Sequence, residues 1–219
     1  MNKLKICIVT GGRADYGLLR KLMKSIDENK KYFKLKIIVT GAHLYKKFGN
    51  TINEILKDKF RINRKIHLNI GSDTPVKISE SISIGIKKMS IAFEQLKPDL
   101  IIFLGDRYEI MSSAIAGHIL NIPMAHIHGG EITEGAIDDA IRHSITKMSD
   151  FHFVANNIYK KRVIQLGENP KNIFMVGGLG VDLINIKTLY NRKEIEQKLS
   201  FKFNKKNLLI TYHPETLRA

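Results

Sequence analysis

LKICIVTGGRADYGLLRKLMKSIDENK, residues 4–30, is the stretch on which the reading of the fold turns. Leu4–Thr10 is nearly all apolar and rich in β-branched side chains. A short run of that kind suits a strand buried on both faces of a parallel sheet. Gly11 and Gly12 then turn the chain, and residues 16–30 space their apolar side chains as an amphipathic helix does. The same unit recurs along the chain. Further apolar runs stand at residues 35–40, 100–104, 123–127, 151–154, 173–176 and 208–212. Amphipathic stretches at 76–97, 107–120, 136–149 and 156–166 separate them. Strands alternating with helices predict an α/β fold, a Rossmann-like doubly wound parallel sheet with right-handed crossovers.

Residues 177–205 break this rhythm. They open on Gly177-Gly178-Leu179-Gly180 and continue into a polar, helix-prone segment, NRKEIEQKLS. After them LLITYHPETLRA begins another strand-like run and stops. The expected organisation is therefore a first domain over residues 1–176, a linker over 177–205, and at 206–219 the opening of a second, truncated domain.

Hydrophobic residues make up 43% of the 219, enough for a full core. The apolar run at the start is too short for a secretory signal, and no run approaches the ~20 residues of a membrane helix. The single cysteine, Cys7, cannot form an internal disulfide. It reads as a buried strand residue of a protein in a reducing cytoplasm. The net charge of +15 invites a nucleic-acid reading. Its lysines are scattered over helix faces and loops, with no RNA-binding signature or zinc pairing among them, so a solvated basic surface is expected instead. No nucleic acid and no membrane are expected as partners.

In open parallel sheets ligands bind beyond the C-terminal strand ends. The residues at those ends are Gly11, Gly12, Arg13 and Asp15; Gly41 and His43; Gly105, Asp106 and Arg107; His128, Gly129, Gly130 and Glu131; and His213. The strands are almost uncharged while their ends are glycine-rich, charged or both, and that gradient marks a ligand cleft. Gly11-Gly12-Arg13 is neither a P-loop nor GxGxxG. It can bind phosphate through backbone N–H groups with Arg13 adding donors, or be a tight turn with Arg13 in solvent. Asp106 reads as a general base or as the N-cap of the helix that follows. Asp138 and Arg142, four apart on one helix face, can pair with each other, or Asp138 can be a catalytic carboxylate held by the arginine. His126 and His128 alternate along a strand and are expected on opposite faces, which argues against a shared metal ion.

Taken together, TGGRADYGLL, TGAHL, LGDRYE, AHIHGGEITEGAIDDAIRHSITKMS and ITYHPET, in this order, resemble the hydrolysing UDP-N-acetylglucosamine 2-epimerases of sialic and related nonulosonic acid biosynthesis. The resemblance runs across the whole chain. It implies the N-terminal half of a glycosyltransferase-B-like enzyme with its active site between two Rossmann-like domains. It implies catalytic roles for Asp106, Asp138, Arg142, His128, Glu131 and His213, and substrate or phosphate contacts for Gly12, Arg13 and His43. The sialic acid enzymes are associated with HIEGGE, whereas this chain reads HIHGGE, with His128 in the glutamate's place. The histidine form resembles the branch acting on nucleotide-linked 2,4-diacetamido-trideoxy sugars. The implied reaction releases a free 2-epimerised sugar and a nucleoside diphosphate, with no metal or other cofactor. The expected partners are the nucleotide sugar and, at full length, further copies of the chain. The competing readings are a glycosyltransferase-B-type sugar transferase and a non-catalytic nucleotide-binding module. The 1–219 piece alone is expected to be inactive.

Overall fold

The computed structural model describes residues 2–71, 74–181 and 190–211. Seven parallel strands form one sheet in the order β3-β2-β1-β4-β5-β6-β7. They are β1 (Leu4–Thr10), β2 (Phe33–Thr40), β3 (Arg64–Ile66), β4 (Leu100–Leu104), β5 (Met124–Ile127), β6 (Phe151–Val154) and β7 (Ile173–Met175). The helices are α1 (Arg13–Glu28), α2 (Ile52–Lys57), α3 (Pro75–Leu96), α4 (Tyr108–Ile119), α5 (Ile137–Met148), α6 (Asn157–Gln165) and α7 (Arg192–Leu199).

The two-residue period of β1 divides the core into two layers. Cys7 and Val9 join Ile38, Phe103, Met89, Phe93, Ala114 and Ile145, on the side covered by α3, α4 and α5. Ile6 and Ile8 join Ile37, Val39, Leu104, Leu19, Met23 and Ile55, on the side covered by α1 and α2. Leu19 and Met23 of α1 are completely buried, each worth about 1.5–3 kcal/mol over an exposed position. Leu19→Ala would cost about 2–5 kcal/mol, because the packed sheet beneath leaves a cavity that cannot close.

The expected strands all appear within two residues of their bounds except the run at 208–212. Leu208, Leu209 and Ile210 belong to no strand and are almost fully exposed, while residue 212 lies outside the described residues. The reason is pairing: an apolar run becomes a strand only where a neighbour accepts its backbone hydrogen bonds. β3 and α2 were not anticipated. β3 is three residues long and mostly polar, and is held by its register with β2, where Ile38 lies opposite Arg64. The polar segment does form a helix, α7. Asn191 and Glu194 cap it reciprocally, and it buries no side chain.

In the strand order, β2 lies on one side of β1 and β4 on the other. The connections leaving β1 and β4 therefore diverge and open a crevice above their C-terminal ends. A cleft of about 280 Å³ sits there, with Gly12 and Arg13 on one wall and Gly105, Asp106 and Arg107 on the other.

Candidate active site

The β1 wall is built on backbone. The carboxylate of Asp15 accepts from the N–H groups of Gly11 (2.7 Å), Gly12 (2.8 Å) and Tyr16 (2.9 Å). Of the two readings of this turn, a backbone phosphate cradle or a tight turn with Arg13 in solvent, the geometry is that of the tight turn, whose glycine N–H groups are taken by a side chain. Arg13 is the donor left on this wall. Its side chain is 76% exposed, and its Nε stands 3.3 Å from Glu54.

His43 lies beneath this wall, completely buried. Its Nε2 meets Thr10 Oγ1 at 3.0 Å and its Nδ1 meets Thr51 Oγ1 at 2.7 Å. Burial lowers its pKa, and the imidazole ties β1 to the loop before α2 rather than facing the cleft. Gly41 beside it has φ +56°, and a Cβ there would stand 2.5 Å from the Gly11 carbonyl oxygen, so only glycine fits.

Glu109 carries no signal in the sequence beyond an acidic first turn of α4. Yet it is 1% exposed, and it packs against Gly11 and Gly41. It accepts from Arg107 Nε at 2.7 Å. Burial raises its carboxyl pKa, with Arg107 opposing the shift. Its partner Arg107 projects into the cleft wall.

The other wall is built on paired side chains. Asp106 does not cap α4; the N-cap is Arg107, and no side chain caps it. Instead the Asp106 carboxylate accepts from the Nη2 of Arg142, whose side chain is 8% exposed. The expected Asp138–Arg142 pair is thereby replaced: Arg142 reaches across to the β4 end. Burial raises the Asp106 carboxyl pKa, Arg142 opposes this, and Asp138 adds to it by like charge. Asp138, half-buried in the first turn of α5, is therefore close enough to act on Asp106. Its neighbour Asp139 instead accepts from the Thr133 N–H at 2.8 Å.

His126 is completely buried and donates from Nε2 to the Gly105 carbonyl at 2.8 Å, pinning the turn that presents Asp106. Burial depresses its pKa to about 4. His128 does not continue the strand. β5 ends at Ile127, and His128 has φ +66°, so the alternation argument stops one residue short. Its Nδ1 stands 2.9 Å from Glu131 Oε1. Its Nε2 is buried without a hydrogen-bond partner among the described residues. The loop between them is clamped from α6: Arg162 donates to the Gly130 carbonyl, and a Cβ on Gly130 would stand 2.5 Å from the Tyr159 carbonyl oxygen. His213 lies outside the described residues. Among the described residues no cluster of three metal-binding side chains occurs. No helix there is long and apolar enough to cross a membrane.

This geometry groups Asp106, Arg142, Asp138, His128 and Glu131 around the ends of β4 and β5, with Arg13 across the cleft. A family profile described as UDP-N-acetylglucosamine 2-epimerase matches residues 24–219. A GDP/UDP-N,N'-diacetylbacillosamine 2-epimerase (hydrolyzing) of Campylobacter jejuni is 48% identical over the whole chain, which covers 56% of that protein. A UDP-N,N'-diacetylbacillosamine 2-epimerase (hydrolyzing) of Legionella pneumophila is 40% identical over 96% of the chain, covering 55% of that protein. The chain thus spans about half the length of the curated relatives it matches. The solved structure of the UDP-GlcNAc 2-epimerase of Neisseria meningitidis bound to UDP-GlcNAc superposes with a TM-score of 0.73 at 17% identity, over 90% of this chain and 54% of that one. That likeness speaks for the fold. With the profile match, the sheet order and the similarity to curated relatives in agreement, the chain belongs to the UDP-N-acetylglucosamine 2-epimerase family.

Proposed function

We propose that this chain carries the catalytic half of a hydrolysing 2-epimerase of nucleotide-linked 2-acetamido sugars, with 2,4-diacetamido-2,4,6-trideoxy sugars as the preferred class. The observation that carries the reading is the Asp106–Arg142 pair at the crevice, with Asp138 and the His128–Glu131 pair beside it. The names of the Campylobacter and Legionella relatives, and His128 in HIHGGE, support the diacetamido class.

The chemistry is elimination followed by hydration. The bond between C1 and the diphosphate oxygen breaks and its electron pair leaves with the nucleotide. C2 gives up its proton, and the C2–H electron pair becomes the C1=C2 bond of a glycal. Water then adds its hydroxyl at C1 while a proton reaches C2 from the other face. The C2 proton is not beside a carbonyl, so positive charge must build at C1 before it becomes acidic. Carboxylates around the ring stabilise that charge, and cations stabilise the departing diphosphate. Asp106 and Asp138 serve the ring; Arg142 keeps Asp106 oriented. Arg13 serves the diphosphate, with Gly12 shaping its turn and His213 contributing from beyond the described residues. His43 holds the turn from beneath. None of these steps requires a metal or a redox cofactor.

On this reading residues 1–176 form the catalytic domain, 177–205 a linker, and 206–219 the start of a nucleotide-binding domain. The protein works in the cytoplasm as a homo-oligomer, and residues 1–219 alone lack the closure that excludes water from the cleft. The test is product analysis with a full-length version, given UDP- and GDP-linked diacetamido sugars and UDP-GlcNAc in parallel. Free 2-epimerised sugar plus nucleoside diphosphate is the expected outcome. A new glycoside would make it a transferase, and tight binding without turnover a nucleotide-binding module. A clear preference for UDP-GlcNAc would overturn the substrate class. Sugar release by residues 1–219 at the full-length rate would overturn the need for a second domain.

A further inference from the structure

The His128–Glu131 pair has a geometry that the reaction above does not by itself require. Glu131 Oε1 lies 2.9 Å from His128 Nδ1, and a carboxylate can only accept. Burial works to raise the Glu131 carboxyl, but its hydrogen bond with His128 and the positive charge of nearby Arg142 hold it below its usual range, so it is ionised near neutral pH. Nδ1 must then carry the proton. Nε2 is buried with no partner among the described residues. A buried N–H without an acceptor is costly, so the neutral ring leaves Nε2 as a bare lone pair. The backbone enforces this arrangement. His128 sits at φ +66° and Gly130 at φ +80°, and Arg162 of α6 grips the Gly130 carbonyl between the two partners.

We infer that Glu131 is a positioning residue that fixes the Nδ1–H tautomer of His128, so that Nε2 is the atom that removes the C2 proton. In the elimination step the Nε2 lone pair takes that proton, the C2–H electrons form the C1=C2 bond, and the C1–O electrons depart with the diphosphate. The ring becomes an imidazolium, whose new charge is balanced by the Glu131 carboxylate. A neutral base held this way accepts a proton without adding a negative charge to a site that already holds Asp106 and Asp138. The other charged and titratable groups facing the pair are Arg142 of α5, with Asp106 held on it, His126 of β5 and Arg162 of α6. Arg142 and Arg162 are cations, His126 is held neutral by burial, and Asp106 is already engaged by Arg142, so the Glu131 carboxylate is the counter-charge within hydrogen-bond reach of the ring.

This inference rests on the 2-epimerase reading, and the experiment separates the two. Full-length wild type, Glu131→Gln, Glu131→Leu and His128→Gln are assayed for sugar release from pH 5 to 9. Glu131→Gln keeps an acceptor for Nδ1–H but removes the charge. Its acidic limb of kcat should move to lower pH by about 1 unit or more, with KM little changed. Glu131→Leu removes the acceptor as well and should lose at least a further ~10-fold in kcat. His128→Gln should lose ~10²–10⁴-fold. In parallel, 15N-histidine NMR of the full-length protein, with the His128 signal assigned by its loss in His128→Gln, should show Nδ1 protonated and Nε2 bare. An unmoved acidic limb in Glu131→Gln, or an Nε2–H tautomer in the spectrum, overturns the inference while wild-type sugar release keeps the epimerase reading. Absence of sugar release by wild type overturns the reading itself, and the spectrum still decides the tautomer.

Discussion

The two walls of the cleft face each other but are held in opposite ways. On the β1 side the polar backbone is closed off by Asp15, and the one long donor, Arg13, stands mostly in solvent. On the β4 and β5 side the central groups are partnered and largely buried: Asp106 on Arg142, His128 on Glu131, and the neutral His126 on Gly105. A group that must act at one atom gains from having its orientation settled in advance. A group that grips a flexible diphosphate loses little by waiting in water. The contrast therefore assigns chemistry to one wall and binding to the other, and it can be broken by experiment.

The largest effect belongs to the partnered wall. Asp106→Asn and Asp138→Asn, each in a full-length version, should reduce kcat by ~10²–10⁴-fold. The two should part in stability. Asp106→Asn strips the buried Arg142 of its counter-charge and should lower Tm by several degrees, while Asp138→Asn should leave Tm nearly unchanged. Near-wild-type turnover in either variant would remove that carboxylate from the chemistry.

Acid should come next. His43 and His126 are buried neutral beneath the two walls, with pKa values lowered by burial. The unfolded chain binds their protons more readily than the folded one does. Their contribution to stability is therefore complete above pH ~6.5 and is lost as pH falls through the folded values, about 4 for His126. The His126 share alone is on the order of 3 kcal/mol once pH is below that value. Urea midpoints at pH 7, 5.5 and 4.5 should fall steadily, and less steeply in His126→Gln. A flat profile in the wild type would mean that these rings are hydrated.

Gly41→Ala tests the backbone-built wall. The added Cβ meets the Gly11 carbonyl at a positive φ, so the variant should lose about 1–3 kcal/mol in chemical denaturation. A neutral result would show that the β1 wall yields. The smallest effect on stability is expected from Arg13→Ala. Its pairing with Glu54 is largely exposed, so unfolding should change by under about 0.5 kcal/mol. KM for the nucleotide sugar should still rise about 10-fold through one lost charged contact. An unchanged KM would take Arg13 out of the binding wall.

Most of the sheet was legible because period and composition are local properties. Leu4–Thr10, Leu100–Leu104 and Phe151–Val154 emerged with the expected bounds, since strands buried on both faces write nearly continuous apolar runs. Arg64–Ile66 was not legible, because its strand character comes from β2 rather than from its own side chains. In the site, the strand-end positions could be read, but the partners could not. Arg142 reads as the i+4 partner of Asp138, and only the packing of α5 against α4 and β5 turns it toward Asp106. His128 reads as a strand residue until the chain is seen to leave the sheet at Ile127. Asp15 was within reach. It lies three residues after Gly12, the spacing at which a first-turn acid folds back on the residues before its helix.

One side chain far from both walls has a use of its own. Cys7 lies in the middle of β1 with no exposed surface, and burial pushes its thiol pKa up to about 12. Almost none of it is thiolate at pH 8, and no reagent can reach it while the sheet is closed. As the one cysteine of these 219 residues, it makes this folded stretch chemically silent to thiol probes. Each labelling event then counts one parting of the central strand from its neighbours. Where reclosing outruns labelling, the rate reports the free energy of that opening. The chain thus carries its own clock for the rupture of its core, and substrate held between the walls should slow it.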